Sequence, residues 1–90
     1  MKIRIFGKEG CAKCQTTKNK FKHFITKLQF DEKVEIDYHD LESIDGRAEG
    51  AYNDVSQVVL PTTIIEKDGE VLARWEGEVT SDEIKEHLVK

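Results

Sequence analysis

Residues 2–14, Lys2-Ile3-Arg4-Ile5-Phe6-Gly7-Lys8-Glu9-Gly10-Cys11-Ala12-Lys13-Cys14, carry the two features that decide the fold. One is an alternating run rich in β-formers, Lys2 to Phe6, where a first strand is expected. The other is the only pair of cysteines in the 90-residue chain, set two residues apart after the loop Gly7-Lys8-Glu9-Gly10. A helix is expected from about Cys11 to Leu28, because Phe21, Phe24, Ile25 and Leu28 recur at i, i+3, i+4 and i+7. Cys14 lies on that stripe one heptad earlier, so it should face the core while Cys11 sits exposed at the helix tip. Lys13, Lys18, Lys20, Lys22 and Lys27 fall mainly on the other faces, and Lys18, Lys20 and Lys22 read as solvated.

Outward from this unit, Lys33 to His39 alternates cleanly. Val34, Ile36 and Tyr38 should face the core, and Glu35, Asp37 and His39 water, as on an edge strand. Asp45 is the expected N-cap of a short, glycine-weakened helix with Ala48, Ala51, Tyr52 and Val55 inward. Pro61, the only proline, precedes a third strand from Thr62 to Glu66. Lys67-Asp68-Gly69-Glu70 is a hairpin signal, so Val71 to Trp75 should return antiparallel and end at Gly77. Thr80-Ser81-Asp82-Glu83 is a capping box, with Val79 and Ile84 placed for a hydrophobic staple and Leu88 continuing the stripe. The order β-α-β-α-β-β-α implies a four-stranded mixed sheet with helices on both faces. Both helical connections between strands are expected to be right-handed parallel crossovers.

Ninety residues suit a single domain, 1–90, with one modest core. No apolar run has the length of a membrane span. Met1-Lys2 runs straight into the first strand, so no targeting segment is expected and the chain is read as cytoplasmic. In a reducing compartment, a close Cys pair is more often catalytic or metal-binding than structural. The net charge of −4 divides unevenly: residues 1–30 sum to +7 and residues 31–90 to −11. Positive charge around the cysteines would favour a thiolate and steer acidic partners. No basic stripe interleaved with aromatics suggests nucleic acid.

A thiolate at Cys11 would be stabilised by the positive helix end, with Lys8 and Lys13 adding to the effect. Cys11 would then attack a disulfide and Cys14 would resolve the mixed disulfide. His23 and His39 do not complete a zinc spacing, so no metal is expected, although a two-coordinate thiolate site for Cu(I) or Zn²⁺ remains an alternative. Trp75 reads as packing, His87 as surface or half-buried, and Asp37, His39 and Asp40 as solvated.

With the Cys pair, the element order and Pro61 together, the chain resembles the thioredoxin–glutaredoxin superfamily over nearly its whole length. The likeness to a thioredoxin is close from Asp45 to Leu88, where the spacings from Pro61 to Gly69 and to Gly77 match. The resemblance implies a thioredoxin fold, a cis Pro61 beside the cysteines, and Leu60 offering backbone hydrogen bonds to a bound substrate chain. It implies a disulfide oxidoreductase without a cofactor, acting on disulfide-containing proteins and served by a reductase or another thiol donor; the chain is taken as a monomer because nothing in the sequence argues otherwise. The chain departs from the family at Gly10, where thioredoxins carry Trp, at Ala12-Lys13, which replaces Gly-Pro, and at Ile5, which stands where they bury an Asp. Lys8 matches a glutathione-contacting Lys of glutaredoxins, but their other glutathione contacts are not matched, and glutathione-linked exchange is the lesser reading.

Overall fold

The computed structural model of the chain describes residues 1–27, 34–56 and 59–88, with the side chain of Leu88 set aside. The strand at the start, β1 (Lys2–Gly7), becomes the middle of a four-stranded sheet ordered β2-β1-β3-β4. Helix α1 (Ala12–Lys27) carries the chain back so that β2 (Glu35–Asp40) pairs with β1 in parallel. Leu28 of the expected helix and Lys33 of the expected strand lie outside the described residues.

The second connection departs from expectation. β3 (Thr62–Lys67) is antiparallel to β1 and therefore runs opposite to β2 as well. Helix α2 (Ile44–Tyr52) explains this. Its nine residues span only about 14 Å at the helical rise. It starts at the C-terminal end of β2, and the chain enters β3 opposite Phe6, near the C-terminal end of β1. The connection never returns to the other end of the sheet, so no parallel crossover forms. β4 (Glu70–Glu76) then pairs antiparallel with β3. The turn between them places Asp68 at φ 53° and Gly69 at φ 80°, the left-handed pair that a two-residue hairpin needs. A bulge at Ile65/Glu66 leaves Leu72 as the extra residue on the outer strand and bends that edge away from regular pairing.

Strand alternation divides β1 between two apolar layers. Ile3 and Ile5 join Phe21 and Phe24 of α1, Ile65, Val79, and Ile84 of α3 (Ser81–Leu88). Phe6 faces the other way and packs with Leu41 and Ile64, with Val55 and Leu60 beside them. Arg4, on the same side as Phe6, donates from Nε to Glu66 at 2.9 Å and from a terminal nitrogen to Glu49 of α2 at 3.1 Å. The capping box forms: Thr80 N–H donates to Glu83 Oε1 and Glu83 N–H to Thr80 Oγ1, above buried Val79 and Ile84.

Several local expectations are corrected. Ser43, rather than Asp45, caps α2, its Oγ accepting from Gly46 N–H at 2.9 Å. The buried face of that helix is Gly46 and Gly50, while Ala48, Ala51 and Tyr52 are exposed and Val55 is half-buried. A Cβ on Gly46 would strike the Asp40 carbonyl, and one on Gly50 would come within 2.7 Å of Leu41 Cδ2. Close approach to β2 thus replaces side-chain interdigitation. His39 is not a solvated residue: it stacks on Phe6 with ring centroids 4.7 Å apart, and its Nε2 is buried with no hydrogen-bond partner among the described residues. Burial, with Arg4 nearby, holds its pKa below the ordinary histidine value. Of the three lysines read as solvated, Lys18 lies 5.1 Å from the centre of the Tyr38 ring and Lys20 donates to Val79 O at 3.3 Å. Trp75 packs as expected, tilted against Phe21 and edge-on to His87.

Candidate dithiol site

The site forms where β1 hands the chain to α1. Gly10, at φ 80°, turns the loop, and Cys11 N–H donates to Lys8 O at 3.3 Å, closing it. Cys11 occupies the capping position one residue ahead of α1. Its sulfur accepts from the Cys14 N–H at 3.2 Å, as an N-cap oxygen does, while its carbonyl accepts from Gln15 N–H. Cys11 and Cys14 form a disulfide across a Cα–Cα distance of 5.3 Å. The two are unequal in access: Cys11 is partly exposed and Cys14 fully buried. That is the division the helical stripe implies. α1 has no acidic residue in its first turn, so nothing there opposes negative charge at its N-terminus.

Two other sequence candidates meet this end of the sheet. The Leu60–Pro61 peptide is cis, and Pro61 is buried, with its carbonyl accepting from Gly77 N–H at 2.8 Å. Continuing the β1–β3 register one step past Phe6 and Thr62 sets Pro61 level with Gly7, against which Cys14 packs. Leu60 is half-buried. Lys8 and Lys13 are exposed on either side of Cys11 in the chain. Among the described residues, no three His, Cys, Asp or Glu side chains gather where they could hold a metal ion.

Gly7 and Tyr38 belong to the site without having been singled out in the sequence. Gly7 reads as a loop residue, yet it ends β1 and is buried. A Cβ there would lie 2.5 Å from the Tyr38 hydroxyl and 2.7 Å from Cys14 Sγ. Strand alternation places Tyr38 only in the core. Its hydroxyl is buried and bonded to no group among the described residues, and burial, then the charge of Asp40, push its pKa above the ordinary tyrosine value.

No family model matches the sequence, and a search of curated proteins finds no significant match. Solved structures do match. Thioredoxin 1 from Thermosipho africanus superposes with a TM-score of 0.72 at 21% identity, covering 98% of this chain and 94% of that one. The chain has a thioredoxin fold. Thioredoxin O2 from Arabidopsis thaliana, in its oxidised state, gives a TM-score of 0.77 at 20% identity, over 99% of this chain and 75% of that one. A malarial protein gives 0.75 at 17% identity, over 99% and 97%. The thioredoxin fold places a C-x-x-C pair of this chain at the junction of its central strand and first helix.

Proposed function

We propose that the protein is a thiol–disulfide oxidoreductase that works on protein disulfides through Cys11 and Cys14. One observation carries the reading: a disulfide at a helix N-terminus joins one accessible and one buried sulfur. In the reduced protein, the Cys14 N–H and the helix end favour a thiolate at Cys11. That thiolate attacks one sulfur of a substrate disulfide, forming a mixed disulfide and releasing the first substrate thiolate. Cys14, as thiolate, attacks Cys11 Sγ, closing the internal disulfide and releasing the second. Two electrons pass to the substrate and the two cysteine protons end on its sulfurs. Exposed Lys8 and Lys13 favour the attacking thiolate, and Leu60 and Pro61 form the adjoining wall for the substrate chain. An outside thiol donor or reductase restores the dithiol.

Reduction of a model protein disulfide by the pre-reduced protein tests this. The parent should reduce one disulfide per molecule, Cys11→Ser should lose all activity, and Cys14→Ser should accumulate a mixed disulfide. Alkylation of Cys11 should show a pH midpoint below that of a free thiol. An inert parent with an ordinary midpoint would sink the reading. Faster recycling by glutathione than by a thioredoxin reductase would shift it to glutathione-linked exchange. Stoichiometric Cu(I) or Zn²⁺ on an inert reduced protein would replace it with metal binding.

A further inference from the structure

β2 runs parallel to β1 with Tyr38 level with Ile5, which carries the Tyr38 ring along the α1 face of the sheet toward its C-terminal edge. The hydroxyl ends beside Gly7. Because a Gly7 Cβ would lie 2.5 Å from Tyr38 Oη and 2.7 Å from Cys14 Sγ, those two atoms are no more than about 5.2 Å apart, the two distances added. The missing side chain leaves nothing of Gly7 between them. Buried hydroxyls are seldom left without a partner, and this one has none among the described residues. In the oxidised chain, its neighbour is a disulfide sulfur, a weak acceptor; reduction turns that sulfur into a thiol or thiolate.

We propose that the Tyr38 hydroxyl is a catalytic hydrogen-bond donor to Cys14 Sγ in the reduced protein, stabilising the buried thiolate that resolves the mixed disulfide. The proposal rests on the disulfide-exchange reading above. The charged groups facing Tyr38 suit a donor. On α1, Lys18 lies over the ring, and on β2, Asp40, together with burial, keeps the proton on the oxygen. On β1, Gly7 lies beside the hydroxyl and brings no side chain. As Cys14 loses its proton, the phenol turns to the sulfur; the proton passes by solvent to the departing substrate thiolate and the phenol keeps its own. In the reverse direction, when an outside thiolate attacks Cys11, Cys14 is the leaving group, and the same hydrogen bond eases its departure.

Tyr38→Phe removes the hydroxyl and keeps the ring that Lys18 covers. In a Cys11→Ser background, Cys14 is the sole thiol, and its ionisation can be followed by ultraviolet thiolate absorbance against pH. Loss of a hydrogen bond to a charged group should raise the midpoint by about one unit, a roughly tenfold smaller thiolate fraction. In the two-cysteine protein, Tyr38→Phe should slow resolution of the mixed disulfide by about threefold, since a less stabilised thiolate is rarer but more nucleophilic. Oxidised Tyr38→Phe should unfold at the same denaturant concentration as its parent or a higher one, because an unpartnered hydroxyl has gone. A superimposable titration overturns the proposal, and so does a shift accompanied by lower oxidised stability, which would make Tyr38 a packing residue. The titration needs no substrate. An inert parent therefore refutes disulfide exchange, whereas an unchanged midpoint in an active protein refutes only the role of Tyr38.

Discussion

At the scale of single residues, both faces of β2 bury a polar group. Tyr38 and His39 are adjacent in sequence, and each places a polar atom in the interior without a hydrogen-bond partner among the described residues. For His39, the consequence is a pH dependence. Its folded pKa lies below the ordinary value, first through burial and then through Arg4. The unfolded chain therefore takes up a proton more readily than the folded one. The stability contributed by neutral His39 is complete above the unfolded pKa of about 6.5 and is lost as pH falls from there through the folded pKa. Denaturation series between about pH 7.5 and 5 should show falling stability in the parent and a flatter profile in His39→Phe, whose ring can still stack on Phe6. Equal slopes in both proteins would refute this account. Strand alternation put His39 on the outer face correctly, but it could not show that α2 and Phe6 turn that face into a second interior.

At the scale of elements, signals contained in a few neighbouring residues were legible and those made by distant contacts were not. The β3–β4 hairpin is written in Asp68-Gly69 and the start of α3 in Thr80 to Glu83, because turn and cap chemistry act within four residues. Cys11 and Cys14 acquire unequal burial from helical periodicity alone. The cap and buried face of α2 depend instead on how closely it sits against Asp40 and Leu41, a tertiary fact that makes Gly46 and Gly50 packing residues rather than weaknesses. Gly46→Ala tests this. Helix propensity alone would favour the variant by about 1 kcal/mol. Contact of the new methyl with the Asp40 carbonyl should reverse the sign and leave a net loss of about 1–3 kcal/mol in urea denaturation. Unchanged or increased stability would show that α2 can move off the strand freely.

At the scale of the whole molecule, the element order fixed the fold class, yet it did not fix the direction of β3. Both candidate directions satisfy the same hydrophobic alternation, and only the shortness of α2 and its place at one end of the sheet decide between them. The outcome returns the chain to the end of β1 where the cysteines are. Pro61, fifty residues from Cys11 in sequence, thereby stands level with Gly7. The central place of β1 has a further consequence, in time rather than in space. Hydrogen-bonded to β2 on one side and to β3 on the other, its amides can exchange with solvent only when one of those pairings opens. Deuterium exchange should therefore be slowest at Arg4 to Phe6 and faster along β4, where alternate amides of an edge strand point outward. Equal rates on both strands would count against this. The partly exposed sulfur of Cys11 then lies at the mouth of the most slowly opening segment, so under the proposed exchange a mixed disulfide would form and resolve many times between unfolding events of its scaffold.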